Sequence, residues 1–332
     1  MNDLGQFANI FENVALWRGA VPPGFTADFL GTLTATEFLQ DVLRLAGAQS
    51  VYRAALNAPA GPPTPPKIGD GGNGERWLEA ADCIIAALEA KDRFVMASLG
   101  AFYGYQAVSC YRAIELLNPM PCKLICIEPL AEKIAGIRRH MRDNGIDPDR
   151  QWLIQAAIGE SNAPVLFPVG AATIGGHNCV STNDMSARRL YLQTLLDQRR
   201  CEQALSDILL RNSTGIVKDL VADDNFSAEI QFVSCVTLSD VLGPFDFVDY
   251  VESDIQQSET NVFLPAMDVM RRKVRRLHIG THGGDVHAAL HRMFAESGWE
   301  IVFSYAPDSR HESALGPFTT GDGVLTVRNP GL

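Results

Sequence analysis

The segment Arg93-Phe-Val-Met-Ala-Ser-Leu-Gly-Ala-Phe-Tyr-Gly104, with Lys123-Leu-Ile-Cys-Ile-Glu128-Pro about two dozen residues on, constrains the fold of this chain most strongly. It reads as a buried strand, a glycine turn, a helix and a second buried strand that ends in an acid. Phosphate- and nucleoside-binding α/β domains begin this way, since glycine lets the backbone approach a ligand and an acid at a strand end can hold ribose hydroxyls. The turn matches no standard fingerprint. Phe102 stands where Gly-x-Gly-x-x-Gly has its middle glycine, and no Gly-Lys-Ser/Thr follows to make a P-loop.

The remaining chain alternates in the same manner. Strands are predicted at 93–99, 123–128, 151–158, 246–254, 274–280, 299–305 and 323–328, and helices at 75–91, 104–117, 131–143, 262–272 and 285–297. Gly145 and Gly298 follow two of these helices where a left-handed cap is expected. Such alternation implies an α/β fold, a mostly parallel sheet with helices on both faces. The short connection between the last two strands predicts that one is an antiparallel edge.

Around this core, residues 1–57 form an appendage, and the Pro- and Gly-rich run 58–74 a linker. Residues 75–332 are expected as one domain, interrupted at about 160–235 by an insertion with a long helix over Ser186–Arg211. That helix is read as packing on the sheet edge or as a lid over the site.

A net charge of −11 argues against a nucleic-acid partner, and no apolar run reaches membrane-spanning length. Seven scattered cysteines and an N-terminus without signal-peptide character point to reduced thiols and the cytoplasm. Cys122 and Cys126 lack a second pair at zinc-ligand spacing.

Four sets of residues can carry chemistry. Glu128 is a candidate for ribose hydroxyls, or simply an acid at a helix start. In Asp249-Tyr-Val-Glu-Ser-Asp254-Ile-Gln-Gln-Ser-Glu259, Asp254 falls at a strand end, where a carboxylate serves as general base or cation ligand. His278-Ile-Gly-Thr-His282 closes the next strand and brings two imidazoles toward Asp254, suited to proton transfer, substrate binding or a metal. His287 and His291 share one helix face without the glutamate of a zinc protease, and read as a surface pair.

Taken together, these segments resemble the FkbM-type family of S-adenosylmethionine-dependent methyltransferases. The likeness rests on Ile127-Glu128-Pro129, His140-Met-Arg-Asp-Asn-Gly145, Gln155-Ala-Ala-Ile-Gly159, Val236-Thr-Leu238, Asp254-Ile-Gln-Gln-Ser-Glu259, His278-Ile-Gly-Thr-His282 and Gly298-Trp-Glu300. It covers most of residues 90–332, and Phe29-Leu-Gly-Thr-Leu-Thr34 looks similar to the amino-terminal part of some relatives. The resemblance implies a Rossmann-like class I methyltransferase fold with a seven-stranded sheet. S-adenosylmethionine would lie across the first two strand ends, with Glu128 at its ribose, Gly100, Ala101 and Gly104 under its methionine part and Ala156 beside adenine. The acceptor would be a hydroxyl on a sugar or other small metabolite. Relatives carry an acid at Ser98, a glycine at Phe102 and another at Gln257.

Methyl transfer from a sulfonium requires alignment of an acceptor oxygen and removal of its proton. Asp254, His278 and His282 are the candidate proton acceptors, and no metal is assigned, although a divalent cation would also position a hydroxyl. The competing readings are a cofactor-deficient binding protein on the same fold, a nicotinamide oxidoreductase and a metal hydrolase. A homo-oligomer is left open.

Overall fold

The computed structural model describes residues 4–12, 14–38, 63–170, 180–181, 228–256 and 258–332. The helix predicted over Ser186–Arg211, much of the linker and Gln257 lie outside these residues.

Seven strands build the central sheet: β1 (Phe94–Leu99), β2 (Cys122–Ile127), β3 (Trp152–Ile154), β4 (Val248–Ser253), β5 (Val274–Thr281), β6 (Glu300–Tyr305) and β7 (Gly323–Arg328). Their order in space is β6-β7-β5-β4-β1-β2-β3. All neighbours from β5 to β3 run parallel, whereas β7 is antiparallel to both β5 and β6. This is the Rossmann-like, mostly parallel seven-stranded sheet expected of a class I methyltransferase fold.

One expectation is corrected. The edge strand β6 does pair antiparallel with its neighbour, but the strand that runs against all the others, β7, lies inside, between β5 and β6. The connection after β6 is longer than a tight turn and contains a hairpin, Ser309–His311 against Phe318–Thr320, so the chain can return into the sheet interior. Five of the six β7 residues are buried, as an interior strand requires. The predicted strand at 151–158 also divides, with β3 in the main sheet and Ala157–Gly159 pairing instead with Cys235–Thr237.

Alternation along the strands sorts their side chains onto two faces. Phe94 and Met96 face helices α1 (Glu75–Glu89), α2 (Tyr105–Leu117) and α3 (Ala131–Asp143). Val95, Ala97 and Leu99 face helices α4 (Glu259–Lys273) and α5 (Gly284–Glu296). Both faces are covered, which is why the central strands are apolar throughout rather than alternating. Burial of each Leu or Ile side chain contributes roughly 1.5–3 kcal/mol, so Leu99, Ile125, Ile127 and Ile279, all buried, fix the strand ends that carry the site. Gly145 and Gly298 take positive φ after α3 and α5, as expected.

The amino-terminal residues pack onto the same core. Phe29 and Leu30 join the α1–α2–α3 face. Asn144 clamps Leu33, accepting from its N–H at 2.7 Å and donating to its carbonyl at 2.8 Å. The described end of the linker is tied down too, with Gly71 N donating to Pro317 O and Gly74 N to Thr319 O. Among the described residues no helix is long and apolar enough to cross a membrane.

Candidate active site

The sheet changes direction between β1 and β4: β2 and β3 extend to one side of this pair, β5 and β7 to the other. Loops leaving two such strands diverge and open a crevice at their carboxyl ends, the place where open α/β sheets bind ligands. Here it holds a cavity of about 260 Å³.

Backbone contacts shape its floor. Gly100 N and Ala101 N both donate to Ile127 O, folding the turn after β1 over the end of β2. Asp254 N donates to Leu99 O, which draws the exit of β4 against the exit of β1. Gly100 sits at φ +74°, and a Cβ there would lie 2.1 Å from the Asp254 carbonyl oxygen. Only glycine fits both the left-handed backbone and this approach.

Behind the turn, Glu128 is buried. Phe102 N donates to its Oε2 at 3.0 Å and Leu130 N to its Oε1 at 3.2 Å. Burial outweighs these bonds and pushes its carboxyl up to about 7. Phe102 adopts φ 49°, unusual for a bulky residue. Its ring lines the cavity, packs on Tyr103 with centroids 4.1 Å apart, and carries the Lys133 ammonium 4.4 Å from its centre. Lys133 also donates to the Tyr103 hydroxyl at 2.8 Å.

The opposite wall is a set of acids and imidazoles. His278 Nδ1 lies 2.7 Å from Asp82 Oδ2 and 3.1 Å from Thr326 Oγ1, while Asp82 Oδ1 pairs with Arg276 at 3.0 Å. Burial lowers the His278 pKa, but Asp82 overrides it and holds the imidazole above its usual range. Ser98 donates to Glu252 Oε2 at 2.7 Å, and desolvation pushes the buried Glu252 carboxyl up to about 8. Glu79, reaching in from α1, is raised by desolvation as well. His282 stands 2.8 Å from Glu259 Oε1, 3.2 Å from Asp254 Oδ1 and 3.7 Å from Asp322 Oδ1. Partial burial works against its charge, yet the three acids prevail and push it up to about 10.

Of the residues singled out in the sequence, Gly100, Ala101, Asp254, His278 and His282 line the cavity together. Gly104, Glu128 and Ala156 do not line it: Gly104 caps α2, and Glu128 lies behind Phe102. His287 and His291 meet on the Ser304 hydroxyl, at 3.1 and 2.9 Å, outside the cavity. The expected surface pair is thus corrected at His287, which is 7 % exposed and pushed down to about 4, chiefly by burial. Cys122 and Cys126 are free thiols, and no cluster of three or more metal-ligand side chains is present among the described residues.

Sequence reading missed Glu79, Asp82 and Glu252. Asp82 and Glu252 each carried a weak signal, an acid inside an otherwise apolar face or strand, where ionisable groups need a partner.

No protein-family model matches the chain, and no curated protein does. Solved structures resemble it distantly. The methyltransferase FkbM from Methylobacillus flagellatus KT shares 12% identity at a TM-score of 0.40, with 88% of this chain covering 58% of that one. The C-terminal domain of precorrin-6Y C5,15-methyltransferase from Rhodobacter capsulatus shares 10% at 0.36, covering 76% and 87% of the two chains. The ribosomal protein L11 methylase from Lactobacillus delbrueckii subsp. bulgaricus shares 9% at 0.33, covering 77% and 80%. This chain is similar to these methyltransferases in its course through space, and its chemistry rests on its own side chains.

Proposed function

We propose that this chain is an S-adenosylmethionine-dependent methyltransferase, of the FkbM type, that methylates a hydroxyl of a sugar or other small metabolite. The observation that carries the reading is the cavity at the reversal of strand order, with the buried Asp82–His278 pair in its wall and Glu128 behind the Gly100 turn.

The turn fits the cofactor as it stands, whereas Glu128, behind Phe102, meets ribose hydroxyls only once that ring moves aside. Each Glu128 oxygen accepts one backbone N–H and keeps capacity for another donor, as two neighbouring ribose hydroxyls require. Gly100 and Ala101 border the cavity with their backbone, leaving room beside it for an extended chain. When bound, the cofactor supplies a methyl group already activated on a sulfonium.

The protein's share is placement and proton removal. Asp82 fixes His278 through Nδ1, which leaves Nε2 to take the acceptor's proton. His282, a cation at neutral pH, serves instead to hold Asp254 and Asp322 at the rim. Asp254 accepts from Gln256 Nε2 at 2.7 Å and orients the acceptor hydroxyl.

A second reading, a binding protein on this fold that no longer takes the cofactor, is favoured by one observation. The Phe102 ring lines the cavity where relatives carry glycine.

Transfer of radiolabelled methyl groups to a panel of sugars and small alcohols tests the proposal. We expect activity in the wild type and a loss of about 10²–10⁴-fold in His278→Ala, the usual worth of general-base catalysis. Full activity in both His278→Ala and Asp254→Ala sinks the assignment.

A further inference from the structure

The cavity wall is unevenly charged. Glu75, Glu79, Glu252, Asp254 and Asp322 all line it, and no lysine or arginine does among the described residues. Its histidines do not offset these acids. His282 is shared among Asp254, Glu259 and Asp322; His278 is held by Asp82; His140 is kept neutral chiefly by burial. A separate observation points to a polar ligand. Ser253 lines the same cavity, is fully buried, and its hydroxyl has no hydrogen-bond partner. Such a buried group costs about 1–3 kcal/mol unless something satisfies it.

An anionic acceptor would meet five carboxyl groups and one cation, His282, which the acids around it already share. A neutral one would give Glu79 and Glu252, which desolvation biases toward their protonated forms, no charge to ionise against. An ammonium offers three donors and no acceptor, which matches a wall of acceptors. We propose that the acceptor carries a positively charged amino group beside its hydroxyl, as an amino sugar or amino alcohol does, and that Glu79 and Glu252 receive it.

The proposal rests on the methyltransferase reading for the word acceptor; the charge preference rests on the cavity. Glu252 faces Ser98 from β1, His278 from β5, Glu79 from α1 and Asp254 at its own strand's end. Its carboxyl, pushed up to about 8, is largely protonated at pH 7, so an arriving cation drives it to ionise and a proton leaves.

Calorimetric titration of the full chain at pH 7 with glucosamine, glucose and glucuronate compares one ring in three charge states. We expect glucosamine to bind at least about tenfold more tightly than glucose, and glucuronate most weakly. Its binding heat should differ between phosphate and MOPS buffers, reporting the released proton. Glu79→Gln should reduce the preference for glucosamine severalfold, and Asp322→Asn provides the second test if that variant fails to fold. Glucuronate binding as tightly as glucosamine, or no glucosamine binding at tens of millimolar, overturns the proposal. S-adenosylhomocysteine, titrated separately, keeps the two ideas apart. If it binds but the amine preference is absent, this proposal alone fails; if it does not bind but the preference holds, only the methyltransferase reading fails.

Discussion

Ser98 on β1 and Glu252 on β4 are register partners in the parallel sheet, and the serine hydroxyl donates to the glutamate Oε2 at 2.7 Å. The end of β1 carries no acid of its own, and the neighbouring strand supplies a carboxyl that lines the same cavity.

Glu252 makes stability depend on pH in a defined direction. Its folded pKa, about 8, lies above the unfolded value of 4.5, so the folded state binds the extra proton. The contribution is complete below 4.5 and is lost as pH rises through about 8. Glu252→Gln, which keeps the shape without the charge, should gain on the wild type as pH rises across this window. Urea unfolding at pH 5 and pH 8.5 checks this, and an unchanged gap refutes it.

His282 behaves oppositely with respect to its charge. Raised to about 10, it contributes stability that is complete below 6.5 and disappears as pH climbs through 10. His282→Gln leaves the buried Glu259 without its ion pair and should cost about 1–3 kcal/mol near neutrality. Melting curves of both proteins should differ clearly at pH 7 and converge above pH 10.

The Asp82–His278 pair sets the acid limb of the rate profile. Proton removal needs neutral His278, so activity should rise with pH through its raised pKa. Asp82→Asn removes the carboxylate that raises it and should move that limb to lower pH. It also leaves Arg276 buried without its closest ion-pair partner, at a cost of about 3–5 kcal/mol. A lower melting temperature without a shifted limb would mean that Asp82 is only structural.

Gly100→Ala tests the turn. The left-handed backbone alone costs an alanine about 1–2 kcal/mol, and the Cβ would also meet the Asp254 carbonyl. A loss of about 2 kcal/mol or more in chemical denaturation is expected.

Much of the fold was legible because its signals are local. Apolar runs marked the strands, and Gly145 and Gly298 marked helix ends that the structure places at positive φ. The position of β7 was not legible, since pairing between β5, β7 and β6 is decided by the long hairpin-bearing connection rather than by any strand's own residues. The site divides in the same way. Gly100, Asp254, His278 and His282 end strands, and the sheet gathers them. Asp82 meets His278 across 196 residues of sequence, and on its helix it reads as one interruption of an apolar face. The elevated state of His282 follows from acids on two distant segments, Asp254 and Glu259 after β4 and Asp322 before β7, so the histidine's own motif could not announce it.

Titration calorimetry with S-adenosylhomocysteine, on the wild type and on Glu128→Gln, decides whether this cavity takes the cofactor. One-to-one binding by the wild type is expected, weakened about tenfold or more when Glu128 loses its charge. No binding by the wild type at millimolar ligand would contradict this and leave a binding protein on a methyltransferase fold.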